Sequence, residues 1–473
     1  MAYRETAPST TATREALTSF DILGVIFKAC LALDISLEWQ NDVRQKITLG
    51  AVCKLWKFTL ESTPALWSHI ILMPQMPQYY IHKVFWLARH ARKHLSINLD
   101  LSSQLISPFS SSIADLLVAA AKTVTSISVQ YSSYSDWDTF VNYISATNPH
   151  PNFTSLRRFS ATRSVSSWSA FDADLPRLFP GAAVDLQHLH LDGLPLSSFV
   201  VGPNLISLAL TNLVQDHPAS SDFAATFLDS LRQTPHLETL IIDVNESFTT
   251  RFDTHRPLTL PCLHTLSFLC NMQSPHPCGF LISLIKLPKL HTLSLGLASN
   301  HNSHNFISAN ETHLSTITLL RLIGHISLYI DLTSGPAKLL SSLTGSKLRH
   351  LDFLNTGGLF TFDAERQLWV QTQFLEILAH ALTLPAVRLL VIRPLRSTPH
   401  SPSATDLIRS LLEPVSTRGE VKHIFEEHAL CPVSGGGHSN CGRLWSWDFE
   451  GLQQASRASH STPGIRPLPS NYI

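Results

Sequence analysis

An α/β fold is predicted: a small N-terminal three-helix unit packed on an irregular leucine-rich-repeat solenoid. Three observations carry this reading. The pattern L-x-x-L-x-L, with conservative variants, recurs down the chain. Amphipathic stretches of helical spacing lie between several of its copies, and the first part of the chain holds apolar helical segments that stand apart from the repeats.

The repeat decides the architecture. Its first positions are Val124, Leu156, Leu186, Leu205, Leu237, Leu263, Leu290, Leu314, Leu348 and Val387, a mean spacing of roughly 29 residues, at the upper end for leucine-rich repeats. The clearest copies are DLQHLHL (185–191), NLISLAL (204–210), HLETLII (236–242), CLHTLSF (262–268), KLHTLSL (289–295) and KLRHLDF (347–353). One copy cannot bury its apolar side alone, so the copies stack into a parallel sheet with a continuous core. Between them, SDFAATFLDSLRQTP (221–235) and QTQFLEILAHALTLP (371–385) have helical spacing and end at Pro235 and Pro385, which supplies the helical side. Asn245 and Asn271 stand where a standard repeat places a buried asparagine; Leu194, Leu213, Ala298 and Thr356 stand at the same place in other copies. The short step from Leu186 to Leu205 leaves no room for a full helix, and the long step before Val387 implies an inserted loop.

Composition bounds the function. The chain has 473 residues, 44% hydrophobic and 15% charged, enough for a large core and too many for one compact globule. Lys plus Arg and Asp plus Glu are both 35, so no global field draws it to nucleic acid or to an anionic membrane. The 24 histidines are scattered, as in HLHL (188–191), and read as background. Seven unevenly placed cysteines do not make a disulfide framework, which fits a reducing compartment, cytoplasmic and/or nuclear. The apolar run ILGVIFKACLAL (22–33) is broken by Lys28, follows Asp21 and is too short to span a bilayer, so it reads as a core helix.

Residues 1–17 are polar and expected to be disordered until Thr18 or Ser19 caps that helix. Ile22, Ile26 and Cys30 then lie four apart, as do Leu23 and Phe27, making a broad apolar face. After the polar stretch DISLEWQNDVRQK (34–46), Leu49, Val52, Cys53 and Trp56 are expected to share one helical face, with Lys54 and Lys57 pointing elsewhere. Thr63 and Pro64 mark a boundary, and Leu66 and Trp67 close the small core. On these grounds alone the segment is a helical cap for the first repeat.

These residues resemble the F-box proteins, in particular the large fungal group whose motif runs from "LPxEIL..IF" to "VC..W......TP.LW". The matching stretches are DILGVIF (21–27) and VCKLWKFTLESTPALW (52–67), and the resemblance covers residues 18–72. Val52, Cys53, Trp56, Thr63, Pro64, Leu66 and Trp67 fall at the family's spacing, while Thr18 and Ser19 stand where it has Leu-Pro. The resemblance implies a substrate-recognition subunit of a Skp/cullin/F-box ubiquitin ligase, itself not an enzyme. Its partners would be a Skp-type adaptor, a cullin through that adaptor, and a protein substrate. The adaptor-binding residues would be Ile22, Leu23, Ile26, Phe27, Val52 and Trp56. A repeat-based interaction or scaffold protein outside any ligase is the alternative.

On a horseshoe the concave strand face offers Gln187, His188, His190, Ser207, Thr239, Thr265, Ser267, Thr292, Ser294, Arg349, His350 and Asp352. That surface is polar and nearly neutral, which suits a protein substrate better than a phosphate; His188, His190, Ser207, Thr239, Thr265, Thr292 and Arg349 are the substrate-binding candidates. No catalytic residue, metal or cofactor is expected. His428 with Cys431 and His438 with Cys441 have a spacing that zinc accepts, but not that of a standard finger, and Gly435 to Gly437 signal a loop. GHSNC (437–441) puts Cys441 where a hydrolase elbow needs glycine. The chain thus divides into the N-terminal stretch 1–17, the helical module 18–72, a linker and first part of the array 73–122, the array 123–395, a C-terminal cap and loop 396–452 containing LWSWDFE (444–450), and a tail 453–473 expected to be disordered.

Overall fold

The computed structural model describes residues 19–32, 39–73, 79, 81–82, 86, 95–101, 107–147, 153–163, 185–194, 196, 199, 201–212, 223–244, 257–270, 283–296, 306–307, 309–323, 336–343, 347–354, 384, 387, 389–393 and 422–425. Asn245, Asn271, the helical stretch 371–383, the two His/Cys pairs and the segment 444–450 lie outside them. The chain divides into two compact units, residues 1–167 with 175–186, and residues 168–174 with 187–473.

The first unit opens with α1 (Phe20–Ala32), α2 (Trp39–Val52), α3 (Lys54–Ser62) and a 3-10 turn over Pro64–Trp67. The expected single face from Leu49 to Trp56 is broken: Cys53 is extended (φ −161, ψ 169), ending one helix and starting the next. Strands β1 (His69–Leu72) and β2 (Leu95–Asp100) follow, then α4 (Ser107–Ala120), β3 (Val124–Tyr131), α5 (Tyr134–Thr147) and β4 (Arg158–Arg163). The four strands pair in parallel in chain order. Asp136, at the start of α5, accepts hydrogen bonds from Ser132 Oγ at 2.6 Å and from the Ser133 amide at 3.0 Å; the Asp136 amide is held in turn by Ser133 Oγ at 3.2 Å. This reciprocal arrangement satisfies donors that a helix start leaves open.

The second unit runs β5 (His188–Asp192), β6 (Ser207–Thr211), α6 (Phe223–Arg232), β7 (Thr239–Val244), β8 (Leu258–Thr259), β9 (Thr265–Cys270), β10 (Ile285–Lys286) and β11 (Thr292–Gly296). A 3-10 turn over Glu311–Thr316 leads to β12 (Leu319–Ile323), α7 (Pro336–Ser342), β13 (His350–Leu354), β14 (Leu389–Arg393) and β15 (Lys422–Phe425). Except for β8 and β10, which pair with each other, these strands form one parallel sheet in chain order.

The register explains the repeat. Leu189, Leu208, Leu240, Leu266, Leu293, Leu320, Leu351 and Leu390 are Cα partners from strand to strand. Leu191, Leu210, Ile242, Phe268, Leu295, Leu322, Phe353 and Ile392 form a second row. Two apolar rows therefore run unbroken from β5 through β14, and burying them is the main drive for stacking. In several copies the first position closes the turn before its strand. The amides of Leu205, Leu237, Leu263, Leu290 and Val387 donate to the carbonyls of Gly202, Thr234, Leu260, Leu287 and Leu384 at 3.1–3.4 Å.

That turn corrects one register. The expected first position Leu314 belongs to the 3-10 turn, and Ile317, whose amide donates to the Leu314 carbonyl at 3.2 Å, takes the place instead. Leu314 corresponds to Leu260 and Leu287, so two apolar residues three apart offered two readings of one pattern. Close by, Asn310 is buried, accepting from the Leu287 amide and donating to the Ile285 carbonyl, both at 2.9 Å. Asn310→Ala leaves both groups orphaned. The expected loss, at about 1–3 kcal/mol per buried unsatisfied group, is at least 2 kcal/mol in a urea titration, roughly speaking. A change below ~0.5 kcal/mol would mean water replaces the amide.

Candidate functional site

The helical module turns one side inward and leaves another open. On α1, Leu23 and Phe27 are both 0% exposed, whereas Ile22, Val25 and Ala29 share an open stripe, with Ile26 half-buried beside it. Spacing of three and four on a helix puts those residues on one face. Phe27 packs edge-on against Trp56 of α3, with ring centroids 5.1 Å apart. Trp67 is buried, its indole N–H donates to the Leu60 carbonyl at 2.8 Å, and the Lys46 ammonium lies 5.2 Å from its ring centroid. Thr63 Oγ1 donates to the Thr59 carbonyl at 2.6 Å, ending α3 ahead of Pro64.

The expected adaptor-binding set therefore splits. Leu23 and Phe27 are core residues and present nothing to a partner; Ile26 and Trp56 are half-buried; Ile22 and Val52 are exposed. The open surface holds three residues that the spacing argument passed over: Val25 at 66%, Phe58 at 63% and Phe20 at 40% exposure. Phe20 and Phe58 pack together across α1 and α3 at 6.1 Å between centroids. Lys54 and Lys57 are exposed on α3, the helix that carries Phe58. An apolar group of this size, with cations on the same helix, is the kind of patch that a soluble domain keeps for a partner.

The strand face opposite the leucine rows departs from expectation. Ser207 is fully buried, Thr239 and Thr265 are buried, and so are Ser267, Ser294 and Asp352. None of these offers its side chain to solvent. Ala209 and Ile241, on the same face, form a buried apolar pair. On β6 and β7 the sheet is thus closed on both sides, and on β11 and β12 every residue but the first, Thr292 and Leu319, is buried. Strands buried on both faces read as near-continuous small and apolar runs, and SLALT, TLIIDV and LLRLI carry that signal. Charge follows the same rule: Arg321 and Asp352, Cα partners on β12 and β13, are both buried and meet at 3.5 Å.

Other candidates stay accessible. Gln187, His188, His190, Thr292 and His350 are half-exposed, and Arg349 is exposed. His190 Nε2 lies 3.2 Å from Thr211 Oγ1 on the next strand, and Asn212 Nδ2 donates to Asp192 Oδ1. Asn212 (φ 49) and Gly193 (φ 71) are left-handed, and the Gly193 amide donates to the Thr211 carbonyl at 2.8 Å. Desolvation of its ring lowers the His190 pKa, opposed by the Asp192 carboxylate. The unfolded chain, with histidine near its ordinary value of about 6.5, then binds more protons than the folded one below that pH. The associated stability is intact above ~6.5 and is lost as pH falls through the lowered folded value. Urea midpoints measured from pH 8 to 5 are expected to fall less steeply for His190→Gln than for the natural chain; identical slopes would contradict this.

Among the described residues, no group of three or more His, Cys, Asp or Glu side chains is placed to hold a metal ion. No described helix is long and apolar enough to cross a membrane. No family model matches the chain, and no curated protein does. Among solved structures, a chain in the crystal structure of the Rad7 and Elc1 complex in yeast is similar over 88% of this chain and 95% of that one, with 12% identity and a TM-score of 0.35.

Proposed function

We propose that the protein is a substrate receptor of a Skp/cullin-type ubiquitin ligase, with an F-box over residues 18–72 and a leucine-rich-repeat array carrying the substrate. The receptor is not itself an enzyme; the transfer chemistry belongs to other subunits. The observation that carries this reading is the number of exposed large apolar side chains on a helical module whose inward face is already filled: Ile22 and Val25 on the open side of α1, Val52 at the end of α2, and Phe20 against Phe58 between α1 and α3. Such exposure costs solubility unless a partner covers it. Trp67 adds support, because it both ends the motif that resembles the F-box and occupies the first position of a repeat, Trp67-x-x-Ile70-x-Leu72, so the module is continuous with the array.

The partner surface that fits is apolar with a carboxylate rim facing Lys54 and Lys57. The alternative, a repeat-based interaction protein outside any ligase, draws on Thr18 and Ser19 at the places of Leu-Pro. Calorimetric titration of the full chain with a purified Skp-type adaptor separates the two. A dissociation constant of about 1 μM or tighter, near −8 kcal/mol, supports the receptor; absence of binding at tens of micromolar, on the order of −6 kcal/mol, removes the ligase and leaves the scaffold.

A further inference from the structure

In the first unit the strand face opposite the core is open across β1 to β4. Burial alternates along each of these strands: Leu95, Ile97 and Leu99 of β2, Val124, Ile127 and Val129 of β3, and Phe159 and Ala161 of β4 are buried, and the residues between them are exposed or half-exposed. The register sets Ser96 beside Ser126 and Arg158, Asn98 beside Ser128 and Ser160, and Asp100 beside Gln130 and Thr162. Short hydroxyl and amide side chains dominate this face, so it stands low over the backbone, and each such group can both donate and accept a hydrogen bond. Strands β6 and β7 of the second unit, buried on both sides, offer nothing comparable.

Charge on this face is one-sided. Arg157 and Arg158, where β4 begins, and Lys122, in the turn before β3, are all exposed at the same ends of parallel strands. Two hydrogen bonds hold that edge: the Arg157 amide donates to the Thr125 carbonyl at 2.9 Å, and Ser155 Oγ to the Lys122 carbonyl at 2.8 Å. Neither arginine forms an ion pair with a described carboxylate, whereas Arg232 pairs with Asp229, Arg321 with Asp352, and Arg163 lies 5.5 Å from the Tyr134 ring centroid. Strands β3 and β4 carry no acidic residue. Asp100 is at the far end of β2, with β3 between it and β4; at ordinary strand dimensions that is ~13 Å along the sheet and ~10 Å across it from Arg158, beyond the Debye length of about 8 Å at physiological salt. Even with the exposed Asp185, which follows β4 in the same unit, the three cations leave the edge positive.

We propose that the open face of β2 to β4 binds a partner protein through a stretch of consecutive aspartates and glutamates, whose carboxylates meet Arg157 and Arg158 while its backbone lies over Ser126, Ser128 and Ser160. A guanidinium engages a carboxylate through two parallel hydrogen bonds. The low serine surface lets an extended backbone approach closely, with hydroxyls to serve its amides and carbonyls. Nucleic acid fits this face less well: none of the accessible side chains of β2, β3 and β4 is aromatic, so bases have nothing to stack on, and Asp100 repels phosphates. The inference gives the substrate half of the receptor reading a chemistry and rests on it.

The test uses the full chain and three fluorescent probes followed by anisotropy at low salt: Gly-Ser peptides of equal length carrying three glutamates or three arginines, and a thymidine oligonucleotide of matched charge. The glutamate peptide is expected to bind, and the other two probes to bind at least about tenfold more weakly. R157Q/R158Q is expected to weaken the glutamate peptide about tenfold, equivalent to about 1.4 kcal/mol. Ser128→Asp, which puts a carboxylate in the middle of the face and keeps both arginines, should weaken it about threefold. K286Q/K289Q, which removes exposed lysines from the second unit, should leave it unchanged. An unchanged thermal melt shows that a variant keeps the fold, so Ser128→Asp and R157Q/R158Q remain informative if one of them fails to fold. Equal or tighter binding of the arginine peptide or the oligonucleotide, no binding of the glutamate peptide, or equal weakening by the arginine and lysine double variants would each overturn the proposal. Loss of adaptor binding with glutamate-peptide binding retained would instead strike the receptor reading and leave this site standing.

Discussion

Asp352→Asn is expected to destabilise the second unit by about 3–5 kcal/mol, because it leaves the Arg321 guanidinium buried without its counter-charge. The carboxylate is completely shielded from water and the arginine side chain is 10% exposed. Since native domains are held by only about 5–15 kcal/mol in total, one atom exchange would remove a large part of the margin. Desolvating two ions costs nearly as much as their attraction returns, so the pair as a whole is worth little. The double variant R321M/D352L is therefore expected to recover most of the loss, within about 1–2 kcal/mol of the natural chain. Urea unfolding of the three proteins decides it: a loss below ~1 kcal/mol for Asp352→Asn would place the pair with exposed ion pairs and show that solvent reaches this face.

The second large effect concerns binding and not stability. Ile22→Asp and Val25→Asp put a carboxylate on the open side of α1, where no described core contact is lost, so thermal stability should shift by no more than about 0.5 kcal/mol for each. Adaptor affinity should fall by at least about 2 kcal/mol, some thirtyfold, because a charge would be buried in the centre of an apolar interface. Phe27→Asp gives the contrasting pattern. Its ring fills the space against Trp56, and the module is expected to unfold along with its binding. Retained affinity in both surface variants would move the adaptor site off α1.

Much of the array was legible from the leucines, because apolar residues that alternate with period two have one way to sit in a parallel stack. Misreadings arose where two apolar residues compete, as at Leu314 and Ile317, or where a strand departs from the spacing or residue types of the pattern. Strand β2 pairs Leu95, Ile97 and Leu99 with Val124, Ile127 and Val129 of β3 across a register shift between Leu95 and Ser96, so its apolar residues lack the spacing of the pattern. In β15, His423 and Phe425 are the Cα partners of Leu390 and Ile392 of β14, so a histidine stands where the pattern has leucine. Neither strand matches a leucine pattern, although the ladder reaches both.

The surfaces were less legible than the core. Periodicity marked α1 as amphipathic but could not say that its apolar residues go all round: Leu23 and Phe27 face inward while Ile22 and Val25 face out. The break at Cys53 redirected Val52 away from Trp56, and no helix-breaking residue announces it. Serine and threonine on the strand face were assumed to meet water because they are polar. Ala209 and Ile241 beside them were the opposing signal, since small hydroxyls and aliphatic side chains together mark a covered face.

Hydrogen exchange on the full chain, with and without a Skp-type adaptor, tests most directly whether the open helical patch is where the partner docks. The receptor account predicts slowed exchange in α1 and α3, centred on Phe20–Ile26 and Phe58, with β5 through β13 unchanged. Protection confined to the strands, or none at adaptor concentrations that saturate binding, would contradict it.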